Sequence, residues 1–324
     1  MKEIVFEKAL RESKAYKLLL GDIRSGLGHA YTVVSSDDEI VAQFFSLLAA
    51  TLYCDEKTAC LECGGCRRAL DGNNPDVYEI LPDNGALRVA QVKAMTAQAY
   101  VSSVGERKVF FVYRADLMTA EAQNKLLKTL EEPPENVTFF LGTANEYRLL
   151  DTVRSRCRAV YMDVFDRRTV YESLLSVGVS DEAASAAAAY SEGQLGRAKE
   201  FADSPKLAAT YAEALDLLVG MKRSPDVLRC SATPSLKSNP KEFLPMLATV
   251  VRDVIAVKSG QAPPLSPQTA PKTQAVAADF SLRALALTEQ LIGKSLEELF
   301  FRVDAQSVTD NLLFSILEVK HKCR

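Results

Sequence analysis

Five short runs rich in β-branched and aromatic residues alternate with segments of helical period up to about residue 163, and beyond it the pattern is helical alone. Short strands spaced by helix-length connections pair in parallel, because a crossover of that length can return to the same edge of a sheet. The runs are Tyr31–Val34, Val77–Leu81, Val109–Tyr113, Val137–Leu141 and Ala159–Met162. Helices are predicted over Glu39–Tyr53, Arg88–Ser102 and Ala120–Glu132. The last is the best punctuated, with Thr119 as N-cap, Glu121 in the first turn and Pro133-Pro134 as the stop.

The segment Asp166–Asp203 reads as a small helical lid, with an alanine-rich helix behind the N-cap candidate Ser180. From about Ser204 the helical period continues, for example over Phe243–Val257 and Leu282–Leu299. The stretch Gln261–Gln274 is too proline-dense for helix or strand and is expected to be a loop inside the last domain. A chain of 324 residues exceeds what one core usually serves. The expected division is an α/β domain over 1–165, a helical lid over 166–205 and a helical domain over 206–324.

Charge and composition narrow the function classes. A net charge of −3 argues against a surface that holds nucleic acid by bulk electrostatics. The opening residues are charged and amphipathic, and no run of about 18 apolar residues is present to span a bilayer, so a cytoplasmic protein without a membrane segment is expected. With only His29 and His321, histidine-based catalytic triads have little to draw on.

Of seven cysteines, Cys54, Cys60, Cys63 and Cys66 crowd into one short segment, with Gly64-Gly65 expected to supply a tight turn. Four thiolates close a tetrahedron and leave no position for water or substrate, so the pattern points to a structural zinc. Iron–sulfur and redox chemistry also use Cys-x2-Cys pairs and stay open as alternatives. His29 reads as a structural side chain, and Phe110-Phe111 and Phe139-Phe140 as core, because no basic residues interleave them.

Two further segments carry a resemblance. Ala115–Pro134, containing Asn124-Lys125-Leu126-Leu127-Lys128-Thr129-Leu130-Glu131-Glu132-Pro133-Pro134, is similar to the helix that follows the Walker B strand in the clamp-loader ATPases of bacterial DNA polymerase III. Thr152–Cys157 looks like that family's Ser-Arg-Cys motif. With His29-Ala30-Tyr31 and the cysteine cluster in the family's order, the resemblance covers most of residues 1–200. It implies an AAA+ (P-loop NTPase-like) α/β domain with a zinc knuckle, a helical lid and an all-α C-terminal collar.

The departures select a branch of the family. An active member carries G-x4-G-K-[ST], whose backbone amides and lysine hold the phosphates. Here Ser35 stands for the first glycine, Ile40 for the second, Val41 for the lysine and Ala42 for the magnesium-binding hydroxyl. At the Walker B position, Val109–Val112 runs into Tyr113-Arg114 rather than paired acids. Loss at both places resembles the delta-prime branch, whose members serve as non-hydrolysing stators. The resemblance therefore implies no ATP in this chain's own site and no intrinsic ATPase. It makes Arg156 an arginine finger for a neighbouring gamma/tau subunit, and Thr143 and Arg197 vestigial sensors. Arg154 and Arg158 read as helix-terminal cations. The implied partners are gamma/tau and delta subunits and, through the complex, the beta sliding clamp and primer-template DNA. Two other readings stay open here: a gamma/tau-like ATPase with a divergent loop, and a zinc-knuckle DNA-binding protein.

Overall fold

The computed structural model describes all residues except 2, 205, 262, 264–268, 301–303 and 324, and the side chains at 207, 208 and 300 likewise lie outside the description. It forms two compact units, Met1–Val164 with Gln194–Arg197, and Phe165–Gly193 with Ala198–Arg324.

The first unit is built on five parallel strands, β1 (Ala30–Val34), β2 (Val77–Ile80), β3 (Lys108–Val112), β4 (Val137–Thr143) and β5 (Arg158–Tyr161), in the order β2-β3-β4-β1-β5. All five expected strands are present, with ends shifted by a residue or two. Among the described residues they are accompanied by α1 (Glu7–Glu12), α2 (Lys14–Ser25), α3 (Asp38–Tyr53), α4 (Gly64–Leu70), α5 (Val89–Ala99), α6 (Ala120–Glu131) and α7 (Asp151–Arg154).

Strand alternation sends an aromatic ladder to each face. Tyr78, Phe110 and Phe139 stack on one side at centroid distances of 4.8 and 5.0 Å. There they join the core under α5, α6 and α7, with Val92, Leu126, Leu130 and Val153. Tyr31, Phe140 and Phe111 stack on the other at 5.3 and 5.4 Å, against Phe45 of α3. The four phenylalanines expected in the core are fully buried. Helix α3 is buried along nearly its whole length, as its apolar composition on every side requires. Thr119 caps α6 as expected, its side chain accepting from the Ala122 N–H.

The second unit is entirely helical among the described residues: α8 (Arg167–Ser176), α9 (Asp181–Tyr190), the end of α10 (Leu195–Ala202), α11 (Leu207–Gly220), α12 (Ser224–Ser231), α13 (Pro234–Ser238), α14 (Pro240–Lys258), α15 (Thr269–Asp279), α16 (Leu282–Phe300) and α17 (Ala305–Lys322). A buried network ties three of these together. Asp253 of α14 takes both guanidinium nitrogens of Arg167, at the start of α8, and the Tyr211 hydroxyl of α11 at 2.5 Å. Ser180 caps α9 through the Ala183 N–H.

One expectation is corrected here. Residues Thr269–Gln274 belong to α15 rather than to a loop, because Pro271 falls in the helix's first turn, where its missing N–H has no intrahelical partner to lose. The rest of the expected loop lies largely outside the described residues. Among the described residues no helix is long and apolar enough to cross a membrane.

Candidate functional site

The N-terminus of α3 is where a phosphate would meet unpaired backbone amides and the positive end of the helix dipole. That position is filled from within. Asp37 is the N-cap: its Oδ1 accepts from the Ile40 N–H at 3.1 Å, and its Oδ2 accepts from the Gly196 N–H at 2.7 Å. The carboxylate is buried, and burial raises its proton affinity against the pull of the Gly196 and Ile40 amides. Gly196 has no alternative at this approach, since a Cβ there would stand 2.3 Å from Asp37 Oδ1. Ile40, Val41 and Ala42 all point into the core, with exposures of 2%, 4% and 7%. Val41, in the lysine's place, lies against Gly142 of β4.

Asp37→Ala is expected to cost about 2–4 kcal/mol in denaturant unfolding, since it removes a cap and strands a second buried amide. Asp37→Ser keeps a cap acceptor but is too short to reach Gly196, so it should recover about 1 kcal/mol of that. Equal losses for the two variants would contradict the double role.

The stretch expected to depart from the Walker B pattern likewise holds a charged side chain of the chain itself. Arg114 sits just beyond β3 with φ 52° and ψ 52°, a left-handed conformation uncommon outside glycine. Its Nη1 donates to Asp38 Oδ2 at 2.7 Å, while Nε and Nη2 donate to Asp116 at 3.2 and 3.1 Å. Asp116 Oδ1 also accepts from the Ala144 N–H and the Thr143 hydroxyl. Burial alone would raise the Asp116 carboxyl, but Arg114 and the Ala144 amide outweigh it and hold it below the ordinary carboxylate range. Thr143, read as a vestigial sensor, thus ends in a closed network running to the start of α3. Arg197 is half-buried and follows directly on the Gly196 that docks on Asp37. Sequence reasoning missed Asp116; the available signal was an acid four residues past the strand end and two past Arg114.

Arg156 lies just after α7, on a segment pinned by Val153 and Cys157 against the core. Its Nη2 pairs with Glu131 Oε1 at 2.6 Å, its Nη1 donates to the Thr152 carbonyl at 2.8 Å, and its side chain is 34% exposed. Arg154 ends α7 and pairs with Asp151, as a helix-terminal cation should. Arg158, expected in the same role, is instead on β5 and pairs with Asp22 at 2.5 Å. His29 precedes β1, where its carbonyl accepts from the Phe139 N–H. With Ser155 and Arg156 it borders a cavity of about 390 Å³.

The cysteine cluster joins the end of α3 to α4. The four Sγ atoms lie within 4.8 Å of one another, near the roughly 3.8 Å edges of a tetrahedron with metal–sulfur bonds of ~2.3 Å. Amides point at the sulfurs, from Cys60 to Cys54, Cys63 to Cys60 and Cys66 to Cys63, at 3.4–3.5 Å. Burial pushes Cys54 up, but the Cys60, Thr58 and Glu56 amides outweigh it and bring the thiol down to about 5. Burial pushes Cys66 up. The donor set suits one metal ion. Gly64-Gly65, expected to make a tight turn, instead opens α4. Gly65 is required for a different reason: a Cβ there would meet the Tyr53 carbonyl at 1.8 Å.

The sequence places these sites among known proteins. DNA polymerase III subunit delta' of Bacillus subtilis (strain 168) is 30% identical over 262 residues, which span 77% of this chain and 78% of that protein. This chain belongs to the DNA polymerase III delta-prime family. The family described as DNA polymerase III, delta subunit, matches residues 12–166, a span that holds the four cysteines, Asp37, Arg114 and Arg156. The delta' subunit of Escherichia coli (strain K12) is 35% identical over 158 residues, 45% of this chain and 46% of that protein. Among solved structures, a gamma subunit-related protein of Thermotoga maritima aligns over 94% of this chain and 99% of its own, with 17% identity and a TM-score of 0.43. In this delta-prime family member the head of α3 and the end of β3 are both occupied by the chain's own side chains.

Proposed function

We propose that this delta-prime family member neither binds nor hydrolyses ATP, and that it supplies Arg156 in trans to a neighbouring gamma/tau ATPase. The complex, with a delta subunit, would place the beta sliding clamp on primed DNA in the cytoplasm. Residues 166–205 serve as the lid and 206–324 as the collar through which the subunits assemble.

The observation that carries the first half is the Asp37 carboxylate on the amides at the head of α3. A triphosphate entering there would displace a buried carboxylate and meet Asp38 and Glu39 with no lysine to neutralise it. Arg114 offers no substitute, since Asp38 and Asp116 already hold its guanidinium. The arginine finger is supported by a charged fork beside a segment packed on the core, partly open to solvent. Cys54, Cys60, Cys63 and Cys66 would hold one zinc, which ties α3 to α4 and takes no part in the chemistry.

The test is a nucleotide titration of the isolated chain with ATP and magnesium. No saturable binding is expected, either by calorimetry or by a fluorescent nucleotide analogue. Saturable binding in the micromolar range would sink the proposal in favour of an active ATPase.

A further inference from the structure

The carboxylate that holds Arg156 is not explained by its own helix. Glu131 is the last residue of α6, and an acid in the last turn opposes the helix dipole, where a cation would be favoured. It points instead at Arg156, with Oε1 2.6 Å from Nη2. Both partners are carried by segments packed into the core. Leu126 and Leu130 bury α6, Pro133-Pro134 fixes its exit, and Val153 buries α7. The Thr152 carbonyl takes the Nη1 side of the guanidinium, so the fork lies folded along its own chain.

We propose that Glu131 is a positioning residue that holds Arg156 against its own subunit and competes with phosphate for it. This rests on the reading of Arg156 as a finger. The competition is finely graded. The pair is partly exposed, with side-chain exposures of 34% and 49%, so the carboxylate is a weak competitor that a polyanionic triphosphate overcomes. While the pair is closed, the guanidinium and carboxylate cancel and present little net charge to a neighbour. Nucleotide in the adjacent subunit therefore has to draw Arg156 off Glu131 before the fork can reach it. Glu131 thus sets how much ATP the neighbouring site needs, without touching the phosphate itself.

The experiment uses the reconstituted complex, with steady-state ATP hydrolysis measured for Glu131→Gln, Arg156→Ala and the double variant. Glu131→Gln is expected to lower the half-saturating ATP concentration about two- to fivefold, with turnover unchanged. In the Arg156→Ala background the same substitution should change nothing, a coupling that a merely structural role for Glu131 would not produce. An unchanged half-saturation in Glu131→Gln, or an equal shift in both backgrounds, overturns the latch while leaving the finger standing. Full hydrolysis by Arg156→Ala alone would remove the finger itself, and the latch with it.

Discussion

Arg156→Ala, assembled into the complete complex, is expected to lower hydrolysis at the one ATP site it serves by roughly a thousandfold or more. Phosphoryl transfer leaves a protein little to do beyond positioning and neutralising charge, so a missing trans guanidinium removes a large share of the catalysis. The folded chain should barely notice the change. The Arg156 contacts are a part-exposed ion pair and bonds to the Thr152 carbonyl and the Ser155 hydroxyl, together worth about 1 kcal/mol or less. A melting curve like the wild type's, beside a collapsed single-turnover rate, is therefore the signature of a finger. Arg156→Lys sharpens the test. Lysine keeps the charge but loses the planar fork, so only partial activity is expected if the fork contacts phosphate oxygens. Wild-type rates from both variants would leave Arg156 as a surface cation.

The structure gives these departing segments a physical content that residue types alone do not. Val41 and Arg114 are more than absences. Arg114 supplies one fixed positive charge between Asp38 and Asp116, where a metal ion would otherwise bring its own. Asp37 supplies the anion that the head of α3 demands. On the proposed reading, the place's electrostatic requirements are met by the chain's own side chains, which leaves a nucleotide nothing to switch.

How far this was legible in the sequence depends on the range of the contact. Strands and helices were readable because their periodicity is local: Val109 to Val112 and the capped α6 declare themselves within a dozen residues. The cysteine cluster was readable for the same reason. The Asp37–Gly196 bond spans 159 positions and the Arg114–Asp38 pair 76, and no local pattern encodes either. Glu131 was hidden differently. It stands in an acidic run before two prolines, where a solvated surface is the ordinary expectation, and only the fold brings Arg156 to it. Thr269–Gln274 failed because proline count was read without position, and Pro271 at a helix start is compatible with the helix.

Metal removal is the other change expected to have a large effect. The segment between Cys54 and Cys66 holds Lys57, Ala59 and Leu61 at φ values of 54°, 52° and 64°, all left-handed for residues with a side chain. Each such residue costs on the order of 1 kcal/mol or more, and the excursion has little apolar burial to offset it. Arg11 helps by donating to the Thr58 and Ala59 carbonyls at 2.7 and 2.5 Å, and the sulfurs must supply the rest. A closed four-thiolate site provides ample free energy, since zinc binding to small modules is worth about 10 kcal/mol or more near neutral pH. Metal analysis should find about one zinc per chain. Chelation or Cys66→Ser is then expected to lower the melting temperature on the order of 10 °C, with damage beginning where α3 meets α4. Cys157→Ser is the matched control. Its thiol is pushed up to about 11 by burial and lies in the core beside Arg156, so the substitution should leave zinc content unchanged. A metal-free preparation that melts like the untreated protein and titrates four free thiols in this segment would show that the amide-to-sulfur bonds hold the excursion unaided.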